Sequence, residues 1–160
     1  METIQIDVFN FHELDDTGKE KARDCYRSAA FDYAWAQESI FSIQSFCDFF
    51  GVTLKNWECG PYQSPSYTTN AENSHFRGIR LSSIDREKMP TGYCLDCTLW
   101  QKFYDEFKRT GDAKDAFDEA LWSGFIEWQN DMESQLSDEC IDDFLTANEY
   151  QFTIDGDFYK

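Results

Sequence analysis

Cys94-Leu95-Asp96-Cys97 is the pair of reactive groups whose spacing most nearly matches a known chemistry. Two thiols at this spacing form a dithiol redox site or half of a zinc site. A structural zinc ion needs about four ligands. The remaining candidates, Cys59, His75 and His12, stand alone and far away in the chain. A thioredoxin-like site would place the pair after a strand, opening a helix, within an alternating β and α pattern. Tyr93 does open a helical stretch, but no such pattern surrounds it. The pair therefore reads first as two partly buried thiols on adjacent turns, with a thiol-redox or metal protein using Cys94 and Cys97 as an alternative.

Other catalytic signals carry little specificity. General acid–base chemistry most often uses histidine, and neither His12 nor His75 sits in a nucleophile motif. With 31 carboxylates, some pair will always suit a hydrolase. No Gly-rich phosphate loop is present. Asp155-Gly156-Asp157 begins like a calcium loop but lacks the rest of one. It reads as a turn in which glycine supplies the positive φ. The expectation is a non-enzyme without cofactor or metal.

The strongest feature is charge. From Asp115 to Tyr159 there are thirteen Asp or Glu and no Lys or Arg. Residues 112–160 hold 14 acids and 2 bases, a formal −12, whereas residues 1–111 hold 17 and 12, a formal −5. Nucleic acid is a poor direct partner, because affinity there rests on Lys and Arg neutralising phosphates. Anionic membranes fail on similar grounds. Disorder is opposed by 28 Phe, Tyr and Trp residues, enough buriable area to offset chain entropy. The six cysteines, the absence of a leader-like opening and of a long apolar run fit a reducing cytoplasm.

The elements that must position these groups follow from periodicity. Thr3 to Phe9 alternates, with Ile4, Ile6 and Val8 on one face, and predicts a half-buried strand. Lys19–Phe31 and Tyr33–Phe50 read as helices, the second stopped by Gly51. Val52–Trp57 is a strand, Gly60–Ser74 a hairpin or long loop, and Phe76–Ile84 a further strand with Gly78 as a candidate bulge. Tyr93–Thr110 is helical. Asp112 is placed to cap a long acidic helix whose apolar stripe is Ala113, Phe117, Leu121, Phe125, Trp128, Met132 and Leu136. Ser137 caps a further helix after a bend, and Tyr150, Phe152 and Ile154 alternate as a terminal strand. The expected fold is α+β in one domain over 1–160: a small antiparallel sheet, its first and last strands paired, against several helices. The bases Arg77, Arg80, Arg86 and Lys88 are expected to pair internally with acids.

The opening also carries a pattern. Ile4-Gln5-Ile6-Asp7-Val8-Phe9-Asn10-Phe11-His12-Glu13-Leu14 leads into Lys19-Glu20-Lys21-Ala22-Arg23-Asp24-Cys25-Tyr26-Arg27. It resembles a group of small acidic proteins encoded by phages and mobile elements, over about the first 35 residues. The resemblance implies a source among accessory genes that phages use against their hosts, where antirestriction and anti-CRISPR inhibitors occur, some of them DNA mimics. It carries over no functional residues.

Charge and resemblance together predict a non-catalytic phage inhibitor that acts as an acidic nucleic-acid mimic on a basic, nucleic-acid-handling host protein such as a CRISPR effector or restriction enzyme. Its anionic surface would comprise Asp115, Asp118, Glu119, Glu127, Asp131, Glu133, Asp138, Glu139, Asp142 and Asp143, and a second copy in a homodimer could raise the density. If 112–146 is mostly helical it is about 52 Å long at roughly 1.5 Å per residue. A solvated helix face that only keeps the protein soluble is the plain alternative. The other binding alternative is an interaction module or antitoxin that uses the aromatic loop 57–67, with Trp57, Tyr62 and Tyr67 as contacts.

Overall fold

The computed structural model describes residues 5–29 and 32–159. Thr3, Ile4, Ala30 and Phe31, which figure in the expected first strand and helix, lie outside these. The fold is α+β, with five α-helices and two separate two-stranded antiparallel ladders among the described residues. Residue contacts divide it into two compact units, Met1–Tyr33 with Ser134–Lys160, and Ala34–Glu133.

The first unit contains β1 (Phe9–Asn10), α1 (Asp16–Ser28), α5 (Asp138–Ala147) and β4 (Gln151–Phe152). The first and last strands do pair, with Phe9 opposite Phe152 and Asn10 opposite Gln151. The ladder is much shorter than the alternation predicts. Residues 5–8 form no strand, and Ile6 and Val8 are exposed. The reason lies in the partner. After Phe152 the chain folds back through Gly156 at φ 85, with Thr153 N–H donating to Asp157 O at 2.9 Å. Phe152 is then bridged by Phe158, and Ile154 is left 65% exposed. No template remains for a longer β1.

Helix α1 starts at Asp15, whose carboxylate accepts the Gly18 N–H at 2.7 Å. Its inner face sets Ala22 and Tyr26 in a small core with Phe11, Ile141, Leu145 and Phe152. Phe11 meets Phe152 edge-on at 6.0 Å, and Tyr26 meets Phe144 at 5.2 Å. The turn at Gly156 presses on α1 as well: a Cβ there would come within 2.1 Å of Gly18 O.

The second unit contains α2 (Ala34–Phe49), the hairpin β2 (Leu54–Gly60) and β3 (Gln63–Thr69), α3 (Cys94–Thr110) and α4 (Ala113–Gln135), apart from the last two residues of α4. Gly51 (φ 67) and Gly111 (φ 71) close α2 and α3 in the left-handed conformation that glycine adopts most readily. The core is aromatic. Phe46 stacks on Phe117 at 5.3 Å and meets Trp100 edge-on at 5.1 Å, and Phe50, Phe76 and Phe103 close around them. Each such pair is worth roughly 0.5–1.5 kcal/mol beyond area burial.

The strand expected over 76–84 is absent. Two single turns of 3-10 helix, Asn73–Phe76 and Leu81–Ser83, stand there instead. Gly78, at φ 76, breaks the pleat rather than bulging it. The apolar residues of this segment act as anchors: Phe76 and Ile84 are buried in the core of the unit.

Gly156→Ala should lower unfolding stability by about 2 kcal/mol or more in urea titration, because it adds left-handed strain to a clash with backbone. Gly78→Ala, with open space around its α-carbon, should cost about 1 kcal/mol.

Candidate functional site

Helix α4 is built so that its acids face outward. Asp112 caps it as expected, accepting the N–H groups of Lys114 at 2.9 Å and Asp115 at 3.1 Å. Phe117, Leu121, Phe125, Trp128 and Met132 are all buried, which fixes the rotation of the helix. At about 100° per residue, Asp115, Glu119, Trp122, Ile126 and Glu133 then fall on one stripe about 60° wide. Asp118 lies on its edge, whereas Glu127 and Asp131 lie on the opposite flank. Trp122 is 42% exposed in the middle of this stripe. The apolar pattern of α4 does not single it out. Its spacing, three residues after Glu119 and seven after Asp115, is the available signal.

The aromatic hairpin joins the same helix. Tyr67 stacks on Phe125 at 4.5 Å and reaches Trp122 at 6.5 Å, Trp57 packs on Trp128 at 5.3 Å, and Cys59 Sγ lies 3.7 Å from Phe125 O. Trp57 and Tyr67 therefore serve mainly to cover the core, with Trp57 the more exposed of the two. Tyr62 differs: it stands at the hairpin tip, 79% exposed, with φ 62. Pro61 before it fixes its own φ near about −65°, which excludes the primed turns that suit hairpins. The remaining solution is a type II turn, which needs positive φ at its third residue. Glycine or asparagine normally stands there, and here Tyr62 does. The ladder beside the turn is irregular, between Glu58 and Gly60, as the mismatched twist requires. The tip is held by α4: Glu133 Oε1 accepts the Tyr62 N–H at 2.8 Å and the Gln129 side-chain N–H at 3.2 Å.

The ten expected acids have unequal freedom. Asp118 is paired with Lys114. Asp131 takes a long contact from the Tyr93 hydroxyl at 3.5 Å, and Glu133 holds the hairpin. On α5, Ser137 caps the helix as expected. Asp142 receives both Nε and Nη2 of Arg23 at 2.7 Å, and Asp138 pairs with Arg27. The hydrogen bonds to Asp142 raise Arg23 above the ordinary guanidinium value, against a loss from burial. Burial likewise opposes the charge on Arg27, but its bonds to Asp138 and Asp24 outweigh it. Asp115, Glu119, Glu127, Glu139 and Asp143 are exposed, with no ion pair among the described residues.

Charge differs between the units. Residues 1–33 and 134–160 hold fifteen acids and five bases, a formal −10, and residues 34–133 hold sixteen and nine, a formal −7. The four clustered bases do not pair as a group. Among the described residues only Arg86 meets an acid, Asp105 at 3.3 Å. Lys88 instead sits over the Phe49 ring at 4.2 Å, and Arg77 and Arg80 make no ion pair among the described residues.

The two thiols open α3. Cys94 is exposed, and Cys97 is half-buried with its sulfur 3.0 Å from that of Met89. Asp96 between them turns inward and is fully buried. Its Oδ2 accepts from the Thr91 and Gly92 amides and the Thr91 hydroxyl at 2.8–3.0 Å, while Oδ1 has no partner. This acid anchors the loop that leads into the helix. Among the described residues no group of three His, Cys, Asp or Glu is arranged to hold a metal ion, and no helix is long and apolar enough to cross a membrane. No family model matches the chain, and comparison with curated proteins and with solved structures finds no match.

Two outcomes follow for stability. Tyr62→Asn should raise unfolding stability by about 0.5–1 kcal/mol, since asparagine tolerates left-handed backbone, whereas Tyr62→Val should lower it by about 1 kcal/mol. Burial, helped by the Asp118 and Glu119 charges, pushes the Tyr67 phenol up from 10.0 to about 12, and burial pushes the Cys47 and Cys59 thiols up from 9.0 to about 12. These groups favour the fold while protonated. Their contribution is complete below the unfolded values and is lost as pH rises to about 12. Chemical unfolding at stepped pH should show stability declining from about pH 9, and Tyr67→Phe should flatten the part above about pH 10.

Proposed function

We propose that this chain is a non-catalytic binding protein of the phage-inhibitor kind, which uses an acidic and aromatic face to occupy a basic, nucleic-acid-handling host protein. The observation that carries the reading is the outer stripe of α4. Asp115 and Glu119, both without an ion pair among the described residues, run into exposed Trp122, and the stripe ends at the Glu133 clamp that holds out Tyr62. Carboxylates steer a cationic partner and set its register, whereas aromatic anchors supply affinity.

The attachment of the hairpin to the acidic helix supports a joint surface in place of two separate ones. An unbroken ridge of ten carboxylates would act by charge alone. Asp118, Asp138 and Asp142 are paired with the chain's own bases, which leaves the unpaired acids, Asp115 and Glu119 among them, to attract a cationic partner. The hairpin, read from sequence as a rival site, is fastened to the acidic helix. The two become one contact surface, to which Glu127 on the flank of α4 adds long-range attraction.

The test is competition binding to purified restriction enzymes and CRISPR effectors against their DNA, over a salt series from about 50 to about 300 mM. The combined variant Asp115→Lys, Glu119→Lys should slow association at least tenfold at low salt and flatten the salt dependence. Trp122→Ala and Tyr62→Ala should instead speed dissociation by tenfold or more. Unchanged binding in both sets would end this reading.

A further inference from the structure

Two non-glycine residues among the described ones hold a left-handed φ, and the second is Glu149 at φ 53. It lies where α5 turns into β4. Tyr150 N–H bonds back to Leu145 O at 3.2 Å, and Glu149 N–H to Thr146 O at 3.1 Å. These two bonds define a Schellman closure, with Glu149 at the position that glycine, or sometimes asparagine, normally takes. A glutamate is disfavoured there for the backbone, so the turn itself gives no reason for this side chain.

What surrounds Glu149 does. It lines a cleft of about 420 Å³ within the first unit, a volume in the range of small-ligand sites. Its lining comes from two stretches of chain, with Phe11 and His12 in one and Thr146, Glu149, Tyr150 and Gln151 in the other. Among the described residues Glu149 makes no ion pair, and the side chains of His12, Thr146 and Gln151 form no hydrogen bond. The C-terminal end of α5, with its partial negative charge, adjoins the second stretch. The unit around it carries −10. The cleft thus combines one free carboxylate, neutral acceptors and the half-buried Tyr150, with Phe11 buried beneath, and no strong base lines it.

We propose that this cleft receives the guanidinium of an arginine within a peptide segment. A guanidinium matches this lining better than an ammonium does. Its planar fork can engage the Glu149 carboxylate and a neutral acceptor at once, and its face can lie against an aromatic ring. The volume admits the residues flanking the arginine as well. The site is separate from the α4 stripe, and neither its existence nor its test depends on the function proposed above.

The test is amide-shift titration of the full chain by NMR at about 150 mM salt, where surface charge is screened, with acetyl-Gly-Arg-Gly-amide, its lysine analogue and its uncharged citrulline analogue. The expected result is saturable shifts at Thr146, Glu149, Tyr150 and Gln151 with the arginine peptide, at least threefold weaker binding of the lysine peptide, and none of the citrulline peptide. Glu149→Gly should raise the melting temperature while weakening the arginine peptide at least tenfold. Glu149→Gln, which keeps the backbone strain, should weaken it similarly without that rise. Three results would each overturn the proposal: no saturable shift, equal binding of the citrulline peptide, or shifts spread diffusely over the acids instead of the cleft. Retained affinity in Glu149→Gly would also overturn it, since the folded variant would show the carboxylate to be dispensable.

Discussion

The scarcity of bases governs this molecule. Thirty-one carboxylates share fourteen Lys and Arg, so each base decides which acids are quiet and which remain available. In the first unit Arg23 and Arg27, on one face of α1, take Asp142 and Asp138 and so fasten α5 to α1. Surface ion pairs usually contribute little. The Arg23 pair is different in kind: it is bidentate, its guanidinium side chain is only 17% exposed, and it lies 5.9 Å from the centre of the Phe11 ring. The same contacts that hold the helices together remove two acids from the surface, leaving Glu139 and Asp143 as the free pair of α5.

Much of the helical part is legible from residues alone. Asp112 and Ser137 act as caps, Gly51 and Gly111 as stops, and the spacing of Phe117, Leu121, Phe125, Trp128 and Met132 sets the buried side of α4. These signals are local, so each can be read in a window of a few residues. Strands are less legible for the opposite reason. Alternation at 3–9 and the apolar residues of 76–84 suggest strands that a ladder could bury, but a ladder needs a partner of matching length. The Gly156 turn leaves β1 a partner of two residues, and Gly78 leaves the later segment none. The pairing of the first and last strands, in contrast, is expected from the alternation at each, yet it is made through Phe9 and Phe152, while Ile6, Val8 and Ile154 stay exposed.

The candidate site shows the same division. Its acids are visible as composition, and its aromatic loop as a local cluster, yet nothing in the sequence links residues 57–67 to residues 122–133. The link is tertiary: Trp57 on Trp128, Tyr67 on Phe125, and one carboxylate, Glu133, on the Tyr62 amide. Glu133 reads from sequence as part of an anionic surface, and its main contact is structural. Trp122 escapes a reading based on the apolar stripe because it lies outside it, although an aromatic residue on the polar side of a helix is the more informative kind of exception.

Tyr62 and Glu149 mark where local preference and tertiary need diverge. Both occupy left-handed backbone at sites where glycine is the low-energy choice, and both put their side chains at the surface or in a cleft rather than in a core. In a core, packing could offset such strain. At the surface it cannot, since an exposed ring or carboxylate gains little from the fold itself. Each residue is also fixed by a hydrogen bond on its own amide, Tyr62 to Glu133 and Glu149 to Thr146, so the conformation is over-determined. Strain held in place by independent contacts, at side chains that the core does not use, is what the two residues share, and it sets both apart from the glycines that hold the same conformation elsewhere.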